Sequence, residues 1–131
     1  MGAPAAKQGD MIVATDIHIV MIPSPGGPIP TPLPHPFVGQ LDGKLSSDVN
    51  FDGKPAATQG STATNSPSHI PMGGPFQSPP QNKGEVLMGS GTVFVNGKPV
   101  ARAGDTAMTC NDPADLPAGS VVAVGTVMVG G

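Results

Sequence analysis

Apolar positions in this chain fall in short stretches, and prolines or glycines break nearly every ten-residue window, so the pattern predicts strands and tight turns and excludes a long amphipathic helix. The longest apolar stretch is residues 11–22, where Ile12, Val13, Ile17, Ile19 and Val20 predict a strand. Residues 91–97, Gly-Thr-Val-Phe-Val-Asn-Gly, alternate and run into Asn-Gly, the strongest short signal for a hairpin. Residues 47–53 end in the corresponding Asp-Gly, and residues 125–131, Gly-Thr-Val-Met-Val-Gly-Gly, closely mimic 91–97. Between these lie two proline-rich stretches, 23–36 and 67–80. Proline fixes φ and donates no hydrogen bond, so both are expected to be stiff, extended loops at a sheet edge.

The elements belong to a repeat. Gly-Ala-Pro-Ala-Ala-Lys-Gln-Gly-Asp at residues 2–10, Gly-Lys-Pro-Ala-Ala-Thr-Gln-Gly-Ser at 53–61 and Gly-Lys-Pro-Val-Ala-Arg-Ala-Gly-Asp at 97–105 align without gaps. The second and third copies are each preceded by a strand and a turn dipeptide. The first has no room for a leading strand, and residues 125–131 are read as its missing partner, so that the two ends meet. The expectation is a single all-β domain over 1–131. Its repeats start near 2, 53 and 97, as three strand–turn–strand units about a pseudo-threefold axis.

Composition narrows what such a fold can rest on. The 131 residues include 19 glycines and 17 prolines but no Trp, no Tyr and only four Phe, so a bulky core is not available. At that Gly and Pro content aperiodic chains are usually disordered, and the repeat register argues for a folded chain instead. With six Lys and Arg against nine Asp and Glu, and almost no aromatic residues, nucleic-acid binding is disfavoured. One cysteine excludes an internal disulfide. The first ten residues lack the basic-then-apolar order of a secretory signal, and no apolar run approaches the ~20 residues that cross a bilayer. Synthesis in the cytoplasm without a signal peptide is therefore expected.

The candidate chemistry lies in three histidines and that cysteine. His18 follows Gly9 of the first copy by the same interval as His69 follows Gly60 of the second; Cys110 follows Gly104 of the third, and His35 sits in the first proline stretch. A structural zinc site is closed by four N or S ligands in a tetrahedron, which His18, His35, His69 and Cys110 would fill. Small domains with little core commonly need such a crosslink. Catalytic readings are weaker. There is no Gly-x-Ser-x-Gly elbow and no His-Glu-x-x-His pattern, and the only glutamate, Glu85, leads into an apparent strand. The alternative function is a small zinc-dependent hydrolase that uses an open metal position and Glu85.

Pro-Ala-Ala-Lys at 4–7, Pro-Ala-Ala-Thr at 55–58 and Pro-Val-Ala-Arg at 99–102, followed by Gly-Asp or Gly-Ser, resemble the Pro-Ala-Ala-Arg motif of PAAR-repeat proteins; residues 92–105 resemble that family's best-kept stretch. Lys7, Thr58 and Ser61 depart from the motif. The resemblance implies a sharp β cone that caps the homotrimeric β-helical spike, of VgrG or phage-spike type, of a contractile injection machine such as a type VI secretion system, one tip per trimer. It implies one structural zinc near the point, with His18, His35, His69 and Cys110 in the ligand places. It further implies no catalytic activity, a mechanical role in piercing target membranes with only transient membrane contact, delivery out of the cell with the apparatus, and in some members recruitment of effector proteins. Because the repeats run from Gly2 to Gly131, a stand-alone tip without a toxin domain is expected.

Overall fold

The computed structural model describes residues 2–130. Its strands are β1 (Ala3–Pro4), β2 (Met11–Ile22), β3 (Ile29–Gly43), β4 (Asn50–Phe51), β5 (Lys54–Pro55), β6 (Thr62–Asn65), β7 (Lys83–Val86), β8 (Phe94–Val95), β9 (Lys98–Pro99), β10 (Thr106–Thr109), β11 (Leu116–Val122) and β12 (Met128–Val129). No helix occurs among the described residues, and the protein is all-β. Six strands close a barrel in the order β10, β11, β2, β3, β6, β7. Its interior is filled by Ile12, Phe37, Leu41, Val86 and Val121 among several alanines.

Outside the barrel stand three small strand pairs: β4 with β5, β8 with β9, and β1 with β12, where Ala3 faces Val129 and Pro4 faces Met128. The expected meeting of Met1 and Gly131 themselves lies outside the described residues. The turns at Asp52-Gly53 and Asn96-Gly97 have both residues at positive φ (50° and 79°, 53° and 77°), the conformation of the two-residue hairpin turn that Asn-Gly and Asp-Gly favour. A second apolar cluster, Ala5, Ala56, Val95, Val100 and Val129, joins the three pairs.

The repeat segments bond to one another in closed cycles. The Ala6 N–H donates to the Ala101 carbonyl (2.9 Å), the Ala101 N–H to Ala57 (3.0 Å) and the Ala57 N–H to Ala6 (3.0 Å). A second cycle runs from Gln8 to Pro55 (2.9 Å), Gln59 to Pro99 (2.8 Å) and Ala103 to Pro4 (2.9 Å). Each segment ends in a turn in which a side-chain oxygen accepts from the backbone three residues earlier. Asp10 accepts from Lys7 N–H, Ser61 from Thr58 N–H, and Asp105 from Arg102 N–H. Serine therefore does in the second copy what aspartate does in the other two.

The first proline-rich stretch is not a loop throughout. Ile29–Gly43 is one strand, paired with the whole of β2, so that Pro30, Pro32, Pro34 and Pro36 face Met21, Ile19, Ile17 and Thr15. On β2, the N–H groups of Ile17, Ile19 and Met21 bond to Asn111, Asp112 and Pro75 of covering loops. Their pairs with Pro34, Pro32 and Pro30 are thus the non-hydrogen-bonded pairs, and those missing proline donors point away from β2 and cost no ladder bond. β6 pairs β3 only at Gly39–Gly43, so no strand needs those donors on the other side. The second proline stretch is irregular, with a single bridge from Phe76 to Val20.

Candidate metal centre

The β2–β3 ladder extends past the barrel, and strand parity decides what it presents. Side chains alternate between faces; on β2 the inward set is Ile12, Asp16, His18 and Val20, and on β3 it is His35, Phe37, Gly39 and Leu41. Asp16 stands directly opposite His35 in the register. His69 comes from the loop after β6, its N–H donating to Asn82 Oδ1 (2.8 Å), and Cys110 follows β10 directly.

These residues converge in the interior. The rings of His18 and His35 are 5.6 Å apart, His18 and His69 4.9 Å, and His35 and His69 5.5 Å between centroids. Phe76 covers His18 and His35, and Phe37 lies beneath His69. One ligand atom from each of Asp16, His18, His69 and Cys110 lies within 4.8 Å of all the others. The structure thus brings together His18, His69 and Cys110, and sets the His35 ring beside them without placing it in that group of four. Asp16 is the member that reading the sequence for histidine and cysteine missed. Its signal was parity: it precedes His18 by two residues on a strand.

Hydrogen bonds orient each group. His35 Nδ1 donates to the Leu33 carbonyl (2.9 Å), an arrangement that turns a histidine's other nitrogen toward a cation. Asn65 Oδ1 accepts from the Val38 N–H (2.9 Å), so its Nδ2 faces His69 Nδ1 (3.2 Å) as donor. The proton of His69 is then on Nε2, which donates to Asp16 Oδ2 (2.9 Å). The Cys110 thiol donates to the same oxygen (3.4 Å). Burial pushes the Cys110 thiol up to about 11, with the nearby Asp16 carboxylate acting in the same direction. Burial also lowers the pKa of His35 below its usual value, against the opposing Leu33 hydrogen bond, so the neutral imidazole is favoured.

His18 tests whether the site suits a cation. It is 1 % exposed, and neither ring nitrogen has a hydrogen-bond partner. Asp112 Oδ2 lies 3.5 Å from Nδ1, outside hydrogen-bond geometry. Buried nitrogens without partners are costly in a metal-free protein. Beside imidazole and thiol donors they fit zinc, whose ligands are nitrogen, sulfur and carboxylate oxygen. Bound there, the ion would crosslink β2 to the loops that carry His69 and Cys110. A cleft of about 430 Å³ between residues 77–81 and 110–115 borders His18 and Cys110.

Residues 77–131 match the family model described as the PAAR motif. Over that segment the chain is similar to the PAAR motif. The PAAR segment runs from β7 through β12 and includes the third repeat and Cys110, whereas Asp16, His18, His35 and His69 precede it. The match is consistent with a PAAR-repeat protein and with a spike-tip role in general. No curated protein matches the chain. No helix among the described residues is long and apolar enough to cross a membrane.

Proposed function

We propose that this protein is the tip of a contractile injection apparatus: a small β cone that caps a homotrimeric β-helical spike of VgrG or phage-spike type, one tip per trimer, and sharpens it for passage through a target membrane. The observation that carries this reading is the closed cycle of backbone hydrogen bonds through Ala6, Ala57 and Ala101. It is what three repeats around a pseudo-threefold axis require. One chain built this way can offer each of three identical subunits a similar strand pair, which a single binding patch could not. On those pairs Phe94 and Met128 are 54 % and 57 % exposed, and they are the apolar groups we assign to the spike-facing base.

Within this reading the metal is structural. One zinc drawn to His18, His35, His69 and Cys110 ties the far end of the β2–β3 ladder to two loops that have almost no core of their own, and stiffens it against bending. The hydrolase alternative gains nothing from the geometry. Glu85 is exposed on β7, opposite Thr62 and Met108, and is not among the converging donors. Native mass spectrometry of the protein co-expressed with a trimeric spike tests the proposal. One tip bound to three spike chains is expected; a three-to-three complex, or no association, would refute capping.

A further inference from the structure

We infer that Asp16 is the second anion of the metal centre, the residue that positions His69 and Cys110 and supplies the negative charge a divalent cation needs beyond a single thiolate. This rests on the metal reading above and adds a residue to it. Asp16 is fully buried at 0 % exposure, and among the described residues no Lys or Arg pairs with it; His69, which faces it, does so as a neutral Nε2–H donor. A carboxylate so placed needs either a positive partner or a full set of donors.

The donors divide between its two oxygens. Thr109 Oγ1 (2.5 Å) and Asn111 Nδ2 (3.4 Å) donate to Oδ1 and hold the carboxylate plane. His69 Nε2 (2.9 Å) and Cys110 Sγ (3.4 Å) both aim their protons at Oδ2. Two candidate ligands thus converge on one anionic oxygen, within 4.8 Å of the donor atom of His18. A cation binding there would send the Cys110 proton to solvent and the His69 proton from Nε2 to Nδ1, with the Asn65 amide turning its oxygen to accept it, and would find its partners already gathered. Zinc with one thiolate and neutral imidazoles would carry a net positive charge in a buried site, and the Asp16 carboxylate cancels it.

The test is chelator competition for zinc on wild type, Asp16→Asn and Thr109→Val. Asp16→Asn keeps the shape and removes the charge, and its zinc affinity should fall roughly 10–100-fold, the usual effect of losing a group that supports metal ligands. Thr109→Val keeps the charge and should lose less. Should Asp16→Asn fail to fold, isotope-edited infrared difference spectra take its place, using ¹³C-carboxyl aspartate in the Asp112→Asn background. Zinc loading should then shift one carboxylate band. Zinc bound equally well by wild type and Asp16→Asn, or no shifted band, overturns this inference alone. A wild type that takes up no zinc overturns the metal reading itself.

Discussion

Phe37→Ala removes the largest side chain that the fold buries completely. The ring spans the barrel interior. A Cβ added at Gly84 of β7 would lie 3.2 Å from its Cζ, and one added at Gly39 would lie 3.0 Å from its Cε1. Six of the buried residues in the same cluster are alanines, which cannot reach into the vacated space. A cavity is therefore expected to persist, which puts the loss at about 3–5 kcal/mol, the usual range for a buried aromatic cut to alanine. Set against a typical total stability of about 5–15 kcal/mol, that is a large fraction, and for a domain of this size it corresponds to a melting temperature lower by roughly 10–20 °C. The His69 ring is 6.2 Å from Phe37 between centroids, so zinc affinity should fall with stability. Denaturant titration with and without zinc measures both effects. A double-mutant cycle with Gly84→Ala locates the cause: the added methyl meets both the Phe37 ring (3.2 Å) and the Met108 carbonyl oxygen (3.3 Å) in the wild type but only the carbonyl in Phe37→Ala, so the two changes should couple by about 0.5–3 kcal/mol. A loss under about 1 kcal/mol, with no coupling, would show that Phe37 does not hold the barrel as argued.

Three further outcomes are expected. Burial pushes the Cys110 thiol up to about 11, so the folded metal-free protein holds this proton more tightly than the unfolded chain, and the stability this gives should be complete below about 9 and lost as the pH rises toward 11; equilibrium unfolding across that range should show the decline in wild type and not in Cys110→Ala. Asn96→Ala should cost about 1–2 kcal/mol, because Asn96 sits at positive φ in its turn, donates to Asp48 and accepts from Ser46 of another repeat; a melt unchanged from wild type would refute the role of these contacts. Phe94→Glu should change stability by less than about 0.5 kcal/mol yet abolish spike binding, whereas Val95→Glu, at a residue 7 % exposed in the second apolar cluster, should unfold its strand pair; thermal melts paired with native mass spectrometry separate the two.

The elements that local chemistry decides were legible in the sequence. Residues 11–22 form a strand with those bounds, and Asp52-Gly53 and Asn96-Gly97 turn as their dipeptides require. Prolines at every second position of Ile29–Pro36 read as loop, because proline's effect on a strand depends on which edge the missing donor faces, and that depends on partners distant in sequence. The barrel closure through β7 and β10 left no local mark. At the centre, histidine and cysteine announce themselves by type and spacing. An aspartate in a strand reads as a solvent-facing residue until its parity with His18 is taken into account. The donor geometry that admits Asp16 to the group of four, and leaves His35 beside it, is set by loops that only the folded chain brings together.

The repeated Pro-Ala-Ala segment can be read bond by bond. The proline carbonyls of Pro4, Pro55 and Pro99, the backbone group with which a proline can still bond, accept from Ala103, Gln8 and Gln59 of neighbouring segments. The next residues, Ala5, Ala56 and Val100, donate to Val127, Val49 and Val93 and tie each segment to its own strand pair. Ala6, Ala57 and Ala101 then close the central cycle, and each is 0 % exposed. Three backbones hydrogen-bonded in a ring leave little space between their side chains, and a larger residue there would strain the ring, a kind of overpacking that costs about 1–3 kcal/mol. Every buried backbone group in that cycle has its partner, so the centre can be dry without a bulky core. A chain with no Trp, no Tyr and only four Phe can therefore still specify one fold, because backbone bonding between the repeats orders its middle.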